Sequence, residues 1–435
     1  MNSNPTLHSK LADPTPVFVA FIGLDWGDKS HALALHDPLA GQTQCSTLTH
    51  SSENLHQWLD QLEVRFGARP VALAIEGTRG VIFPVLLERP WLHVFAVHPV
   101  TSARYRSAFT PSGAKDDLPD AQVLLELLQR HRDKLTPLTL ADAATRELAG
   151  LCEARRDLVD RRTQLLNQLI ACLKKFYPQA LALAGDPLAS PLALAFLTRW
   201  PDLITLKAAR PATIKSFYYT HNVRRPETVR VRLDLIAHAR ALTTDAALVS
   251  VAVRQLRVLV EQLRVVQKHV AGFDQAIAQA FAAHPEAALF GDLPGAGAVL
   301  APRVLLAFGT ERARYPDPSS LQKYAGLAPV REKSGGALWT HWRWHAPTFL
   351  RQSFIEWAAQ TVVYCPWAKA YYQRMKAKDK GHWAILRALA FKWVRILWKC
   401  WQDRTPYDES RYLKQLARRR SPLAQALPQT QPANP

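Results

Sequence analysis

The sequence predicts an α/β N-terminal domain, then a helical, coiled-coil-like arm, then a mainly α-helical C-terminal domain. Three observations lead there. Short buried-strand runs alternate with helical segments over the first hundred residues. Two long stretches with apolar residues at i, i+3/i+4 spacing flank a proline-punctuated connector. A second apolar-rich region follows Pro285. The 435 residues leave room for two or three domains of roughly 100–200 residues each.

Residues 1–16 are polar and contain proline, and read as a flexible lead-in. Val17 to Leu24 is a continuous apolar run, predicted as a buried strand that ends at Asp25. Strands around His31–His36 and Gln44–Thr49 follow over short connections, which favour antiparallel pairing. Ser52 to Phe66 is helical, with Leu55, Trp58, Leu59 and Leu62 on one stripe and Ser51 or Ser52 as its cap. Val71 to Ile75 is another buried strand, ending at Glu76. A short helix over Val81–Glu88 leads to a strand over Leu92–Val97. The order β-β-β-α-β-α-β, an antiparallel meander followed by parallel strands joined by helices, matches an RNase H-like fold across 17–137.

The arm spans 138–285. Leu148, Leu151, Leu158, Leu165, Leu169 and Leu173 make the first apolar stripe. Leu256, Leu259, Leu263, Val266, Val270, Phe273, Ile277 and Phe281 make the second. Such helices either pair antiparallel as a coiled-coil-like arm or pack as an ordinary bundle. Between them, 178–245 is less periodic and holds Pro178, Pro187, Pro191, Pro201, Pro211 and Pro226. The C-terminal domain spans 286–406. The tail, 407–435, is basic at Arg418-Arg419-Arg420, then rich in Pro, Gln and Ala, and is predicted to be partly disordered.

Charge divides the chain. Residues 1–135 hold 12 Lys and Arg against 14 Asp and Glu, whereas the remainder holds 43 against 22. A basic body can neutralise phosphates and release counterions; a near-neutral head suits a site that holds cations. The five cysteines, Cys45, Cys152, Cys172, Cys365 and Cys400, are scattered without a Cys-x-x-Cys pair, which argues against a disulfide framework or zinc site. The polar opening and the lack of an apolar run of spanning length predict a cytoplasmic, nucleoid-associated protein with no membrane partner.

The acids carry the chemistry. Asp25 and Glu76 end two strands that are parallel neighbours in the expected sheet, so both emerge at one edge. Lys115-Asp116-Asp117-Leu118-Pro119-Asp120-Ala121 leads into an apolar helix, and Pro119 suits its first turn. Asp117 and Asp120, three apart, can face one way, where the helix dipole favours the ionised form. Spacing alone leaves Asp116 as a rival to Asp117. Carboxylates gathered in this way repel unless cations lie between them, and magnesium and manganese prefer such hard oxygen ligands. Two ions about 4 Å apart can activate an attacking oxygen and stabilise a leaving one.

Gly23-Leu24-Asp25-Trp26-Gly27-Asp28-Lys29-Ser30-His31, Ala74-Ile75-Glu76-Gly77-Thr78 and Lys115-x-Asp117-x-x-Asp120-Ala121 resemble the acidic blocks of the insertion sequence 110 family of bacterial transposases. Leu293-Pro294-Gly295-Ala296-Gly297, Tyr324 to Pro329, and Lys333-Ser334-Gly335-Gly336 resemble that family's C-terminal transposase domain. The resemblance implies a RuvC-like domain whose DEDD tetrad is Asp25, Glu76, Asp117 and Asp120, with Asp117 favoured over Asp116. It implies two Mg2+ ions, for which Mn2+ can substitute. It makes Ser334 the nucleophile of a covalent phosphoserine step, assembled from one subunit's metal site and another's serine in a dimer or tetramer. It implies donor and target double-stranded DNA as partners, and a bridge RNA that guides the protein to both. Pro119 and Ala337 depart from commoner residues nearby.

Other residues are candidates for nucleic-acid contact. Gly295 and Gly297 sit in a turn before a helix over Val299–Phe308, either a helix-hairpin-helix phosphate site or a plain helix start. Trp339 to His345 interleaves aromatics with cationic or polar groups; Trp342 and Trp344 alternate as on a hairpin face, and Arg343 is a binding candidate. Lys376, Lys378 and Lys380 are plausible phosphate contacts within 369–420, which holds 15 Lys and Arg against 4 Asp and Glu. The helix beyond, through Ile385, Leu389, Trp393 and Leu397, reads as core. Two other readings stand beside the transposase: a junction-resolving nuclease that uses water in place of Ser334, and a non-catalytic nucleic-acid-binding protein.

Overall fold

A computed structural model describes residues 16–77, 82–109, 117–343 and 346–425. The chain divides between Leu140 and Ala141 into two units. In the first, five strands form one sheet in the order β3-β2-β1-β4-β5. These are β1 (Ala20–Trp26), β2 (Ser30–Asp37), β3 (Gln42–Thr49), β4 (Val71–Glu76) and β5 (Leu92–Val97). β1, β2 and β3 pair antiparallel, while β1, β4 and β5 run parallel. The expected strand order and directions are therefore observed.

Alternation along the strands sets the layers. Ile22, Leu24, Leu73 and Ile75 pack with Leu55, Leu59, Leu62 and Phe66 of α1 (Ser52–Phe66) and with Ile82, Phe83 and Leu86 of α2 (Ile82–Leu87). Ser51 caps α1, accepting the Asn54 N–H at 3.1 Å. The opposite face is small: Ala72 and Ala74 meet Leu124, Leu127 and Leu128, and Ala32 and Ala34 meet Ala121 and Leu125. α3 (Pro99–Phe109) precedes α4 (Asp117–His131), which supplies those leucines. The two helices pack together. α3 has no counterpart in the sequence-based expectation.

The second unit is helical around one long pair, α5 (Ala143–Phe176) and, further along the chain, α11 (Ala246–Ala283). At 34 and 38 residues these are about 51 and 57 Å long. They run antiparallel. Thr145 Oγ1 meets His284 Nε2 at 2.9 Å just beyond the end of α11, Arg155 meets Asp274 at 2.5 Å, and Cys172 meets the Ala252 carbonyl at 3.7 Å. The less periodic connector is itself helical. It folds into α6 (Ala180–Leu183), α7 (Pro191–Arg199), α8 (Leu203–Lys207), α9 (Pro211–Thr220) and α10 (Pro226–His238). These close a core with Leu169, Leu173, Leu256 and Leu263 at one end of the pair.

The other end of the pair joins the C-terminal core through Leu148, Cys152 and Ile277. That core is built from α12 (Ala287–Phe290), α13 (Gly297–Phe308), α14 (Pro318–Tyr324), α15 (Thr348–Tyr364), α16 (Pro366–Lys376) and α17 (His382–Gln402). Trp357, Trp367, Trp393 and Trp401 are fully buried, and each indole N–H is satisfied, by the Pro294 carbonyl, the Tyr407 hydroxyl, the Thr361 hydroxyl and the Gly309 carbonyl respectively. Ile385, Leu389, Trp393 and Leu397 are buried, as expected of a core helix face. The first part of the tail is ordered. α18 (Glu409–Arg418) and α19 (Pro422–Gln425) are helical, and Leu416 and Leu423 are buried in the same core. Residues 426–435 lie outside the described residues. A two-stranded hairpin, β6 (Val330–Ser334) with β7 (Ala337–His341), completes the unit. No helix among the described residues is long and apolar enough to cross a membrane.

Candidate active site

The parallel pairing of β1 and β4 fixes the first two acids. Gly23 aligns with Ala74 and Leu24 with Ile75, so Asp25 and Glu76 are the next residues on adjacent strands. Two-residue alternation places both on the face that carries Gly23, Ala72 and Ala74, the face covered by α4. Helix α4 lies unusually close to β1: a Cβ added to Gly23 would stand 2.0 Å from the Ala121 carbonyl oxygen and 2.6 Å from the Leu125 nitrogen. Only a residue without a side chain permits that approach. The result is that the first turn of α4, with Asp120 next to Ala121, rests on β1 two residues before Asp25.

Helix α3 closes this edge with two residues that sequence reasoning missed. Ser102, itself buried, donates to Glu76 at 2.8 Å. Arg106, one turn on, forms a hydrogen-bonded ion pair with Asp120. The i, i+4 spacing puts both on one side of α3. Asp116 and the side chain of Asp117 lie outside the described residues, as does Thr78. Among the described residues no three His, Cys, Asp or Glu side chains form a group that could hold a metal ion. The donor chemistry of Asp25, Glu76 and Asp120 nevertheless suits a hard divalent ion, and Arg106 on Asp120 is a cation already drawn to this edge.

Beside the acids lies an aromatic stack. Trp26 follows Asp25 directly and aligns with His31 on β2. Their rings are parallel to within 5° with centroids 3.6 Å apart. His31 Nε2 and His50 Nδ1 are 3.1 Å apart, and burial together with the neighbouring His50 holds the His31 imidazole below its ordinary pKa. A neutral His31 can share a proton with His50 and stack on Trp26, which fixes the end of β1 where Asp25 begins. His31 is part of the motif quoted above, but nothing in the sequence gave it this neighbour.

Ser334 ends β6 and pairs with Ala337 across a two-residue turn, Gly335-Gly336. Gly335 has φ 58°, the left-handed conformation that a primed hairpin turn demands at this position. Ser334 and both glycines are exposed, and nothing among the described residues hydrogen-bonds the serine hydroxyl. The neighbouring Glu332 accepts from Trp339 Nε1 at 2.8 Å and contacts His341 Nε2 at 2.6 Å, which raises the His341 pKa.

The remaining candidates fall in different settings. Gly295 is a packing position, where a Cβ would stand 2.8 Å from the Tyr364 ring and 2.9 Å from Gln360. Gly297 is exposed at the start of α13, with nothing within 4 Å of its would-be Cβ. Lys376, Lys378 and Lys380 are all exposed around the C-terminal end of α16. Arg343 is half-buried, and its Nε is buried without a partner. The hairpin ends at His341, so Trp342 is not on a strand face; its ring lies against the guanidinium of Arg387. Trp344 and His345 lie outside the described residues.

Two family models match this sequence, one described as a transposase of the DEDD type of IS110 over residues 22–178 and one as a transposase of the IS116/IS110/IS902 family over residues 287–373. Together they span both the acid edge and the Ser334 hairpin. Similar proteins include the "Mini-circle putative transposase for IS117" of Streptomyces coelicolor, 28% identical over 90% of this chain and 96% of its own length. An uncharacterised 43.6 kDa protein of insertion element IS110 from the same organism is 25% identical over 89% and 95% of the two chains. A transposase-like protein of Sinorhizobium fredii is 31% identical over 47% and 57%.

Proposed function

Because the chain belongs to the IS110 family of transposases, whose activity is the cutting and rejoining of DNA, we propose that it does so with two parts: a divalent-metal site on Asp25, Glu76, Asp117 and Asp120, and Ser334 as nucleophile. The observation that carries the reading is the parallel register of β1 and β4. It brings Asp25 and Glu76 to one edge and one face, under the helix start that bears Asp120. The order of strands, a meander continued by parallel strands with helices on both faces, supports an RNase H-like assignment for this unit.

The chemistry follows from the parts. The Ser334 oxygen bonds to phosphorus as one phosphorus–oxygen bond to a sugar breaks; the serine loses its proton and the departing sugar oxygen gains one. One phosphate ester replaces another, so the later attack of a sugar hydroxyl on the phosphoserine can rejoin the strand without an energy source. Magnesium or manganese, when bound, supplies Lewis-acid stabilisation of the attacking and leaving oxygens. Asp25, Glu76, Asp117 and Asp120 would hold it; Ser102 orients Glu76, and Arg106 releases Asp120 to do so. A serine with no base hydrogen-bonded to it among the described residues needs activation from elsewhere. That agrees with an assembly in which another subunit's acid edge meets this hairpin. The basic remainder of the chain supports a grip on DNA and on a guide RNA of the bridge type.

The test is a cleavage assay with the full chain, its co-purifying RNA and the DNA flanking its gene. Wild type should give a covalent protein–DNA adduct that maps to Ser334 and requires Mg2+ or Mn2+. Normal cleavage by Ser334→Ala would defeat the serine mechanism and favour a water-using nuclease. Sequencing the RNA retained by the purified protein tests the guide; RNA unrelated to the flanking DNA would remove it from the proposal.

A further inference from the structure

Next to the Ser334 hairpin lies a cavity of about 620 Å³, within the size range of small-ligand sites, formed where the hairpin meets α16 and α17. Four cations line it: Arg331, Arg387, Lys392 and Arg395. So do the rings of Trp342, Tyr371 and Phe391. Among the described residues no acid lines it, and the carboxylate on the hairpin, Glu332, is engaged by Trp339 and His341. Arg387 lies against the Trp342 ring, Lys392 lies 5.6 Å from the Tyr371 ring, and the Arg387 Nε is buried without an acceptor. Loss of hydration on burial, and then repulsion from Arg351, push the pKa of the Arg387 guanidinium down to about 10. Cations held together without counter-charge favour an anion. Aromatic and guanidinium planes beside them favour a flat π-system.

We propose that this cavity binds one unpaired nucleotide of the DNA strand being cut, its base among Trp342, Tyr371 and Phe391 and its phosphate on Arg331 and Arg395. The assignment to the cut strand rests on the reading of Ser334 as nucleophile. Arg331 lies three residues before Ser334 on β6, about 10 Å along the strand. Arg331 pairs with Thr340 and both line the cavity, whereas Ser334, an odd number of residues along, faces the other side of the hairpin, so a base held there lies across the hairpin from the phosphate that Ser334 would attack. Ring faces are free to stack only when a base has left its duplex partner, so the site favours unpaired DNA. Lys392 and Arg395 also line a second cavity, which holds Lys399, Arg411 and Arg419 beside Asp403 and Asp408.

The test uses the full chain and a 12-nucleotide oligo-dT carrying one 5-iodouracil, with a matched duplex and a matched oligo-U. Photocrosslinks should map to peptides that contain Trp342, Tyr371 or Phe391. Trp342→Leu should weaken single-strand binding about five- to a hundred-fold while leaving duplex binding within about twofold. Arg395→Gln, at an exposed position, should lower the single-strand salt slope by about 0.7. Crosslinks elsewhere, or equal losses on single strand and duplex, would overturn the proposal. Tighter binding of oligo-U at the same residues would reassign the cavity to RNA and overturn the DNA commitment. Ser334→Ala separates the two readings, since it should keep the crosslink and lose cleavage. If it keeps both, the serine mechanism fails and the link to the cut strand fails with it; if the crosslink is absent while Ser334→Ala blocks cleavage, the cavity proposal alone fails.

Discussion

At the scale of single residues, the acid edge depends on charge and on one absent side chain. Asp25→Asn keeps the size of the side chain and removes its charge, so it should lower metal-dependent cleavage by at least about 100-fold. The fold should survive, because asparagine keeps the size of the side chain and can still hydrogen-bond at this strand end; a melting temperature within a few degrees of wild type alongside the lost activity would show this. Unchanged cleavage would sink the metal assignment. Gly23→Ala acts differently. Its methyl would collide with backbone atoms of Ala121 and Leu125, which cannot rotate away. The helix must lift, at a cost of about 1–3 kcal/mol by analogy with overpacked cores. Lifting α4 also carries Asp120 away from Asp25. Denaturant unfolding and cleavage should therefore both suffer, with Ser334 and its hairpin untouched; a variant as stable and as active as wild type would contradict this account of the approach. Asp25 and Glu76 could be found from sequence because each ends an unbroken apolar run. Ser102 and Arg106 could not, since their meaning comes from what α3 is laid against.

At the scale of elements, what could be read in the sequence followed apolar periodicity and failed where contact or a proline set the structure. α3 has one buried residue, Ser102, and no apolar stripe, so no pattern announces it. In the connector the prolines punctuate a stretch of weak periodicity. Three of them, Pro191, Pro211 and Pro226, occupy the first turns of α7, α9 and α10, where a missing N–H costs nothing. Trp342 was expected on a strand, but β7 stops one residue earlier and the ring turns to Arg387. The start of α5 gives a prediction at this scale. Asp142 caps the helix, accepting from the Thr145 N–H at 2.8 Å and from the hydroxyls of Thr145 and Thr310 at 2.6 and 2.7 Å. Burial pushes its carboxyl up, but these hydrogen bonds and His284 outweigh burial and hold it at about 2. A depressed pKa stabilises the fold above the unfolded value of 3.8, and that stability is lost as the pH falls through about 2. Asp142→Asn, which can still cap, lacks this dependence. The stability gap between the two, about 1 kcal/mol once solvent screening of an exposed group is allowed for, should be present at pH 5 and shrink by pH 3 in urea titrations. A gap that does not change with pH would mean that the ionised carboxylate contributes nothing.

At the scale of the whole molecule, the separation of charge has a consequence that can be measured. Residues 1–135 are slightly acidic and the rest carries the excess of Lys and Arg, so affinity for duplex DNA should come almost wholly from the second unit. Counterion release makes the logarithm of the binding constant fall linearly with the logarithm of salt, by about 0.9 for each phosphate neutralised. Lys376, Lys378 and Lys380 stand exposed together at the end of α16. If all three touch phosphates, replacing them with Gln should make the slope shallower by about 2.7. The same number of charges removed by Gln substitution at Lys29, Arg69 and Arg104, all exposed in the first unit, should leave the slope nearly unchanged. The comparison controls for net charge, since both triple variants lose the same three positive charges from the chain. Loss of phosphate contacts weakens binding alike across DNA sequences, so a triple Lys variant that alters sequence preference would place these lysines at base edges. Equal changes in slope from the two variants would show that DNA responds to total charge and not to where the fold puts it.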